Sequence, residues 1–208
     1  MDLETLQRKL VRDRRGGYCF EHNSLFAAVL EEIGFGLTRL AARVRHGSHV
    51  TPRTHMVLRV EAEGTVWLAD VGFGAVSILE PLPFEPGPAV DQHGWRFRLV
   101  QAEDGARVLQ ASRSEGWLDH YAFTLEPQHP VDYEVANHYT STHPDSRFTR
   151  TLTVQRSWSD RALILRGRTL TEVTPSGETE TQIDPGDLLE VLATRFDLVF
   201  PEGTPLTV

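Results

Sequence analysis

The spacing of the apolar residues changes at Gly34, and this change constrains the fold more than any other feature. Before Gly34, apolar residues recur at intervals of three and four, which is typical of amphipathic helices. These residues are Leu3, Leu6, Leu10, Leu25, Val29 and Ile33. The second of the two helices is expected to begin near Cys19 and to stop at Gly34, because glycine commonly ends a helix.

After Gly34 the apolar residues alternate with a period of two, which predicts a series of β-strands. The predicted strands cover 38–44, 55–60, 65–69, 95–101, 106–113, 151–156, 162–166 and 168–174. Short polar connections at 61–64 and 103–105 predict hairpins, and the proline-rich stretch 80–88 predicts a surface loop. A last helix is expected from Asp184-Pro185. Helices followed by antiparallel strands and a mixed end indicate an α+β fold.

Composition excludes several classes of protein. The chain carries 21 basic and 29 acidic side chains, for a net charge of −8. A general nucleic-acid binder needs a basic surface and is therefore not expected. The longest apolar run, 25–30, is far shorter than the ~20 residues that span a bilayer. The acidic start lacks the apolar stretch of a signal peptide, so we expect a cytoplasmic protein.

Cys19 is the single cysteine, so the chain forms no internal disulfide and no thiolate zinc cluster. His46 and His49 lie three residues apart without a second pair of ligands, and the sequence predicts no metal site. Cys19 opens a predicted helix, where the helix dipole and free N–H groups favour a thiolate nucleophile. The alternative is that Cys19 is a small core residue.

A nucleophilic cysteine needs a base and a group that orients the base. His55 starts an apolar strand, and Asp70 ends the strand that is predicted to pair with it. The short connection between these strands brings their ends together, so His55 and Asp70 are expected to meet beside Cys19. Alone, each is better explained as an ordinary polar residue at a strand end, and spacing does not select His55 among nine histidines.

Five segments resemble the arylamine N-acetyltransferase family in their order and spacing. The cysteine motif of that family is similar to residues 15–23, RGGYCFEHN. Its histidine segment is similar to residues 54–58, THMVL, and its aspartate loop to residues 70–74, DVGFG. Its later, cofactor-facing segments are similar to residues 130–134, PVDYE, and 137–148, NHYTSTHPDSRF. The resemblance covers nearly the whole chain.

The resemblance implies a ping-pong acyl transfer without a metal. Cys19, paired as a thiolate with His55, would attack acetyl-CoA, and an arylamine, arylhydrazine or arylhydroxylamine would then take the acetyl group. Asp70 would orient the His55 imidazole, as in other catalytic triads. The implied partners are acetyl-CoA and small aromatic amines or hydrazines, with no nucleic acid and no membrane.

The resemblance also implies a coenzyme site. The residues that match family contacts to acyl-CoA are Thr51, Thr54, His55, Tyr139 and Asp145. Asp145 is a departure, because a carboxylate repels the coenzyme phosphates, and Ser146 is a further candidate for a phosphate contact. Gly72 and Gly74 would let the pantetheine approach the triad. Phe73 would line an aromatic acceptor pocket.

Under this resemblance the chain divides into a cysteine-bearing helical segment at 1–35, an antiparallel barrel-like sheet at 36–130 and an α/β lid at 131–208. The triad would be papain-like or transglutaminase-like. Family members carry a further N-terminal segment, which completes a helical bundle and whose glutamate pairs with the arginine matching Arg15. We therefore expect a truncated bundle, a buried Arg15 charge without its partner, and weak or absent activity.

Three other functions stay open. A thiol hydrolase or transamidase of transglutaminase type shares the order Cys, His, Asp. An amide synthase of the same fold would close a macrolactam from a carrier-bound acyl chain. A third alternative is an inactive protein that binds acyl-CoA or aromatic compounds. The sequence does not indicate the preferred amine, the acyl-chain length or the oligomeric state.

Overall fold

Two helices open the fold. In this computed structural model, which describes residues 2–45, 47, 49–74 and 76–206, they pack side by side. Helix α1 spans Leu3–Gln7 and continues as a π-helical turn, and helix α2 spans Cys19–Glu32. Gly34 follows the α2 cap with a φ of 94°. This left-handed conformation ends the helix where the sequence predicts.

An eight-stranded antiparallel sheet forms the centre of the molecule. Its strands are β1 (Gly36–Val44), β2 (His55–Ala62), β3 (Thr65–Ala69), β4 (Leu82–Pro83), β5 (Val90–Gln92), β6 (Trp95–Gln101), β7 (Arg107–Arg113) and β8 (Gly116–Pro127). Their order in the sheet is β4-β3-β2-β1-β8-β7-β6-β5. The Gln92 side chain on β5 bonds to the backbone of Leu79 and Glu80, just before β4. These bonds link the two edges, so the sheet is nearly a closed barrel.

A second, four-stranded antiparallel sheet follows. Two helices precede it, α3 (Pro130–Thr142) and α4 (Arg147–Arg150). Its strands are β9 (Thr153–Ser157), β10 (Ala162–Arg166), β11 (Thr169–Thr174) and β12 (Gly177–Gln182), in the order β12-β11-β10-β9. Every residue of the edge strand β12 is exposed. Helix α5 (Leu188–Phe196) packs against this sheet after a short 3-10 turn.

Buried apolar side chains form a separate cluster on each side of the central sheet. The barrel interior contains Leu40, Val57, Leu68, Phe97, Leu109 and Tyr121, with Ala162 and Val173 from the second sheet. The cluster beneath α2 contains Cys19, Phe20, Ala27, Met56, Leu58 and Tyr133. On β2, Val57 packs in the barrel interior, whereas Met56 and Leu58 pack beneath α2. This follows from the alternation of side chains along a strand. The cysteine-bearing helix is thereby fixed to the outside of the barrel.

The structure confirms the α+β prediction and corrects it in places. The strand ends predicted from the sequence agree with the structure to within two residues. The prediction of a loop throughout 80–88 is wrong at Leu82–Pro83, which pairs with β3. Proline is tolerated there because an edge strand has one side without ladder hydrogen bonds. The elements that were not predicted are α3, α4, β5, β8 and β12.

The expectation of an unpartnered, buried Arg15 is wrong. The Arg15 side chain is half-buried, and its Nη1 donates a hydrogen bond to the carbonyl of Val199 at 3.0 Å. Its guanidinium carbon lies 4.6 Å from the centroid of the Phe200 ring, a cation–π contact. The adjacent Arg14 pairs with Asp197. The segment that follows α5 therefore supplies partners for both arginines.

Candidate active site

The first turn of α2 places Cys19 at a helix N-terminus. A carboxylate oxygen of Glu21 accepts a hydrogen bond from the backbone N–H of Tyr18 at 3.2 Å, which caps the helix immediately before Cys19. Lys9 holds the other Glu21 oxygen at 2.6 Å. Cys19 itself is 6% exposed. The partial positive charge of the helix end is therefore available to an anion on its sulfur.

The hairpin of β2 and β3 brings His55 and Asp70 together. His55 is the first residue of β2 and Asp70 follows the last residue of β3. Their side chains are buried, with His55 Nε2 2.7 Å from Asp70 Oδ2. Cys19 Sγ donates to the Thr54 carbonyl at 3.3 Å, and Cys19 lies close enough to His55 to raise the pKa of its imidazole. The structure thus brings together the three residues that the sequence analysis singled out.

Asn23 fixes the orientation of Asp70. Its Nδ2 donates to Asp70 Oδ1 at 2.9 Å and to the Met56 carbonyl at 2.8 Å. Its Oδ1 accepts from the backbone N–H of Val71 at 3.0 Å. Asn23 was not predicted as a site residue, although a local signal was present. Asn23 lies four residues after Cys19 and therefore on the same face of α2.

The buried charges stabilise one another. Burial alone would lower the pKa of His55, but the adjacent Asp70 and Cys19 raise it to about 10. Burial opposes ionisation of Asp70, but His55, Asn23 and the backbone N–H of Gly72 together hold its pKa below the ordinary value. The geometry therefore favours an imidazolium at His55 paired with a carboxylate at Asp70. Asp70 occupies Nε2, which leaves Nδ1 as the ring nitrogen for Cys19.

The loop after β3 packs directly onto α2 because it contains Gly72. A Cβ atom on Gly72 would lie 2.6 Å from Cys19 Cα and 2.7 Å from Asn23 Nδ2, so a larger residue does not fit. Gly74 has a φ of 75°, and a Cβ there would lie 2.0 Å from Gln155 Oε1. Gly72 is thus required by its contact with the α2 backbone, and Gly74 by its left-handed backbone conformation.

Aromatic rings cover the His55 imidazole. The Phe73 ring centroid lies 5.3 Å from that of His55, 5.2 Å from that of Tyr121 and 4.9 Å from that of His120. Tyr121 is also 4.8 Å from His55. Phe73, the predicted acceptor-pocket residue, therefore lies at the site. His120 and Tyr121 were not predicted, since nothing in the local sequence indicates which residues of β8 face His55.

Of the predicted coenzyme residues outside the loop, Thr54 contacts Cys19, and the others are described by their contacts elsewhere in the protein. Thr54 lies beside Cys19, whereas the Thr51 hydroxyl donates to the Val44 carbonyl at 2.6 Å. Tyr139 stacks on His143, exposed Asp145 lies 3.8 Å from Arg150, and buried Ser146 caps α4. Those are the contacts of Tyr139, Asp145 and Ser146 in the protein, and their coenzyme contacts stay predictions.

Tyr18 connects residues 137–148 to the cysteine-bearing helix α2. Its hydroxyl donates to Asn137 on α3, and its ring stacks on Phe148 with centroids 5.6 Å apart. Because Tyr18 immediately precedes Cys19, these two contacts tie α3 and α4 to the start of α2. This contact joins the first and the last of the five sequence segments.

The described residues also bear on metal and membrane binding. Within 2–45, 47, 49–74 and 76–206, no three His, Cys, Asp or Glu side chains form a group that could hold a metal ion. Of the pair considered in the sequence, His46 lies outside the described residues. None of the helices described is long and apolar enough to cross a membrane.

Comparison with known proteins identifies the family. A family model described as N-acetyltransferase matches residues 1–203. The arylamine N-acetyltransferase of Mycolicibacterium smegmatis is 39% identical over 206 residues, which cover 95% of this chain and 74% of that protein.

Solved structures agree with this match. The arylamine N-acetyltransferase of Nocardia farcinica has a TM-score of 0.90 at 44% identity, covering 96% of this chain and 73% of that one. The Mycobacterium marinum arylamine N-acetyltransferase in complex with CoA has a TM-score of 0.89 at 34% identity, covering 94% of this chain and 74% of that one. Because its sequence and its fold both match these proteins, the chain belongs to the arylamine N-acetyltransferase family.

Proposed function

We propose that the protein transfers the acetyl group of acetyl-CoA to aromatic amines and hydrazines through an acetyl-cysteine at Cys19. The observation that carries this proposal is the buried contact of His55 with both Asp70 and Cys19, at the N-terminus of a helix. The match to the N-acetyltransferase family supports acetyl transfer as the reaction. The CoA complex of the Mycobacterium marinum relative supports acetyl-CoA as the donor.

In the first half-reaction, the Cys19 thiolate attacks the thioester carbonyl of acetyl-CoA and forms a carbon–sulfur bond. The tetrahedral intermediate then collapses, and the bond from carbon to the coenzyme sulfur breaks. The His55 imidazolium gives its proton to the departing coenzyme thiolate. Asp70 holds the imidazole in orientation while the proton leaves. The products are CoA, acetyl-Cys19 and a neutral His55.

In the second half-reaction, the amine nitrogen attacks the carbonyl of acetyl-Cys19. Neutral His55 accepts the proton that the nitrogen loses, and Cys19 leaves as a thiolate. This step restores the ion pair of Cys19 and His55, so the enzyme is ready for another acetyl-CoA. The positive end of α2 stabilises the sulfur anion in both half-reactions.

The remaining site residues are assigned by the same proposal. Phe73 packs against the aromatic acceptor. The proposed acyl-CoA contacts are Thr51, Thr54, His55, Gly72, Gly74, Tyr139, Asp145 and Ser146. The cytoplasmic location expected from the sequence, where acetyl-CoA is available, and the division into three segments at 1–35, 36–130 and 131–208 are also part of the proposal.

Trapping the acetyl-enzyme tests the proposal. Incubation with acetyl-CoA and no amine should release about one CoA per protein in a burst. Intact-mass and peptide analysis should then locate one acetyl group on Cys19. Addition of an arylhydrazine should remove it as the acetylated hydrazine. Asp70→Asn should slow acetylation, on the order of 10⁴-fold by the precedent of a serine protease triad.

Cys19→Ala is the control, and it should abolish both the label and the product. Transfer that persists in Cys19→Ala would contradict the proposal. An acetyl-Cys19 that water releases, and that no amine accepts, would favour the thiol hydrolase alternative. Reaction only with an amine carried on the acyl chain itself would favour the amide synthase.

A further inference from the structure

A β-bulge in β8 directs two consecutive side chains toward the same site. The ladder pairs Leu109 with Tyr121 and Gln110 with Asp119, so His120 has no residue opposite it on β7. Neighbouring residues of a regular strand point to opposite faces. Here His120 and Tyr121 are both buried, and both rings contact Phe73. Bulges re-aim side chains in this way and often lie next to active sites.

The His120 ring packs flat against Phe73. The two ring planes make an angle of 22°, with centroids 4.9 Å apart. Phe73 also meets His55 in a T-shaped arrangement, with centroids 5.3 Å apart and ring planes at 72°. Phe97, buried in the barrel core, supports His120 with a T-shaped contact at 6.4 Å. A continuous series of rings therefore runs from the barrel core to His55.

His120 is uncharged where it stacks on Phe73. Burial, together with the positive charges of Arg113 and His55, lowers the pKa of His120 to about 3. The ring is therefore neutral at ordinary pH and places no second positive charge beside the His55 imidazolium. Its Nδ1 has no hydrogen-bond partner among the described residues. The His120 ring therefore contacts Phe73 by stacking.

We propose that His120 is a positioning residue, which holds Phe73 against His55 and so keeps the imidazole between Cys19 and Asp70. The inference rests on the proposed function and adds a residue to it. Besides His120, the titratable groups that face His55 are Cys19 on α2, Asp70 after β3 and Tyr121 on β8.

The pH dependence of Cys19 alkylation by iodoacetamide reports on this arrangement, because only the thiolate reacts. In the wild-type protein, we expect fast alkylation at mildly acidic pH, where an isolated thiol with a pKa of ~8.5 is protonated. His120→Ala removes the stacked ring. We expect it to move the alkylation midpoint about one pH unit toward alkaline values, a tenfold loss of thiolate at fixed pH.

His120→Phe is the conservative variant, because phenylalanine keeps a flat ring at the bulge. We expect it to return the alkylation midpoint to near the wild-type value. In acetyl transfer, His120→Ala should lower kcat about tenfold while KM for acetyl-CoA changes less, and His120→Phe should restore kcat. If His120→Ala does not fold, His120→Leu replaces it, because leucine fills the space without a planar ring.

Phe84→Leu is the matched control for a general loss of core packing. Phe84 is buried in the same barrel core, where its ring contacts Phe123, Arg59 and Arg107. The Phe84→Leu variant should have a lower melting temperature and an unchanged alkylation midpoint for Cys19.

The possible outcomes separate this inference from the proposed function. A wild-type profile that rises only at alkaline pH would overturn the pairing of Cys19 with His55, and this inference with it. A wild-type profile that extends to acidic pH, and that His120→Ala leaves unmoved, would overturn this inference alone. Equal shifts in His120→Ala and His120→Phe would also overturn it, since the stacked ring would then not be responsible.

Discussion

Phe73 separates two buried histidines whose pKa values move in opposite directions. Burial disfavours the charged form of both. His55 overcomes this effect because Asp70 and Cys19 lie beside it, and its pKa rises to about 10. At His120 the charge of Arg113 adds to the effect of burial, and the opposing charge of Asp70 does not offset the two. At the scale of single residues, the neighbouring charges decide which of the two imidazoles is protonated.

The depressed pKa of His120 makes the folded state sensitive to acid. The unfolded chain protonates this residue below pH ~6.5, whereas the folded chain does so only near pH 3. Between these values the unfolded state binds more protons, so stability falls as the pH falls. Relative to the wild type, His120→Phe should remove up to about 1.4 kcal/mol of this loss per pH unit. Urea unfolding at several pH values between ~4 and ~7 measures the slope, and equal slopes would contradict the prediction.

At the scale of elements, α2 and the loop after β3 approach each other closely at Gly72. Gly72→Ala would push the loop away from the backbone of Cys19 and from Asn23, because its Cβ would lie under 3 Å from both. We expect a loss of acetyl transfer on the order of 10²-fold, since small displacements of reacting groups have this effect. Steady-state kinetics with an arylhydrazine measures it.

Gly16→Ala is the control for Gly72→Ala. Gly16 lies in the segment just before α2, and a Cβ there would meet nothing within 4 Å. We expect turnover within about twofold of wild type, as for most surface substitutions away from special features. Near-wild-type turnover in Gly72→Ala would show that the loop can move without cost.

The elements predictable from the sequence were those with local signals. Apolar spacing and a glycine stop were sufficient for α2, and alternation with a short polar turn was sufficient for the hairpin of β2 and β3. The bulge at His120 has no such signal, because it arises from the register between β7 and β8. Strand β12 was missed for a related reason. All its residues are exposed, so it lacks alternation and forms by pairing with β11.

The candidate site was predictable to a similar extent. Hairpin geometry indicated that His55 and Asp70 would meet, and the family resemblance indicated Cys19 as their partner. The support that Asn23 gives to Asp70 depends on how α2 docks on the sheet, which is a tertiary contact. Helical spacing from Cys19 pointed to the correct face of α2 but not to what that face contacts.

At the scale of the whole molecule, the segment after α5 returns to the start of the chain. Arg14 pairs with Asp197, and Arg15 contacts both Val199 and Phe200. The expectation of weak activity rested in part on a missing partner for Arg15. Because Arg15 has partners in Val199 and Phe200, this reason for expecting weak activity no longer holds. The level of activity itself stays a prediction.

A double-mutant cycle measures the contribution of the contact between Arg15 and Phe200. We expect Arg15→Ala and Phe200→Ala each to lower the free energy of unfolding, with a coupling of about 0.5–1 kcal/mol, as for exposed cation–π pairs. Urea unfolding of the two single variants and the double variant gives the coupling. Arg12→Ala, at a nearby exposed arginine, is the control and should change stability little. Additive effects of the two substitutions would contradict the prediction.

The edge strands of the two sheets affect whether molecules of this protein associate at high concentration. An open edge offers unpaired N–H and C=O groups, on which a strand from another molecule can add. Here β4 has two residues, one of them Pro83, and β5 has three. The longer edge, β12, carries Glu178 and Glu180 on a protein whose net charge is already −8. Growth of fibrils by edge-to-edge addition is therefore opposed at each of these strands, by shortness, by proline or by charge repulsion.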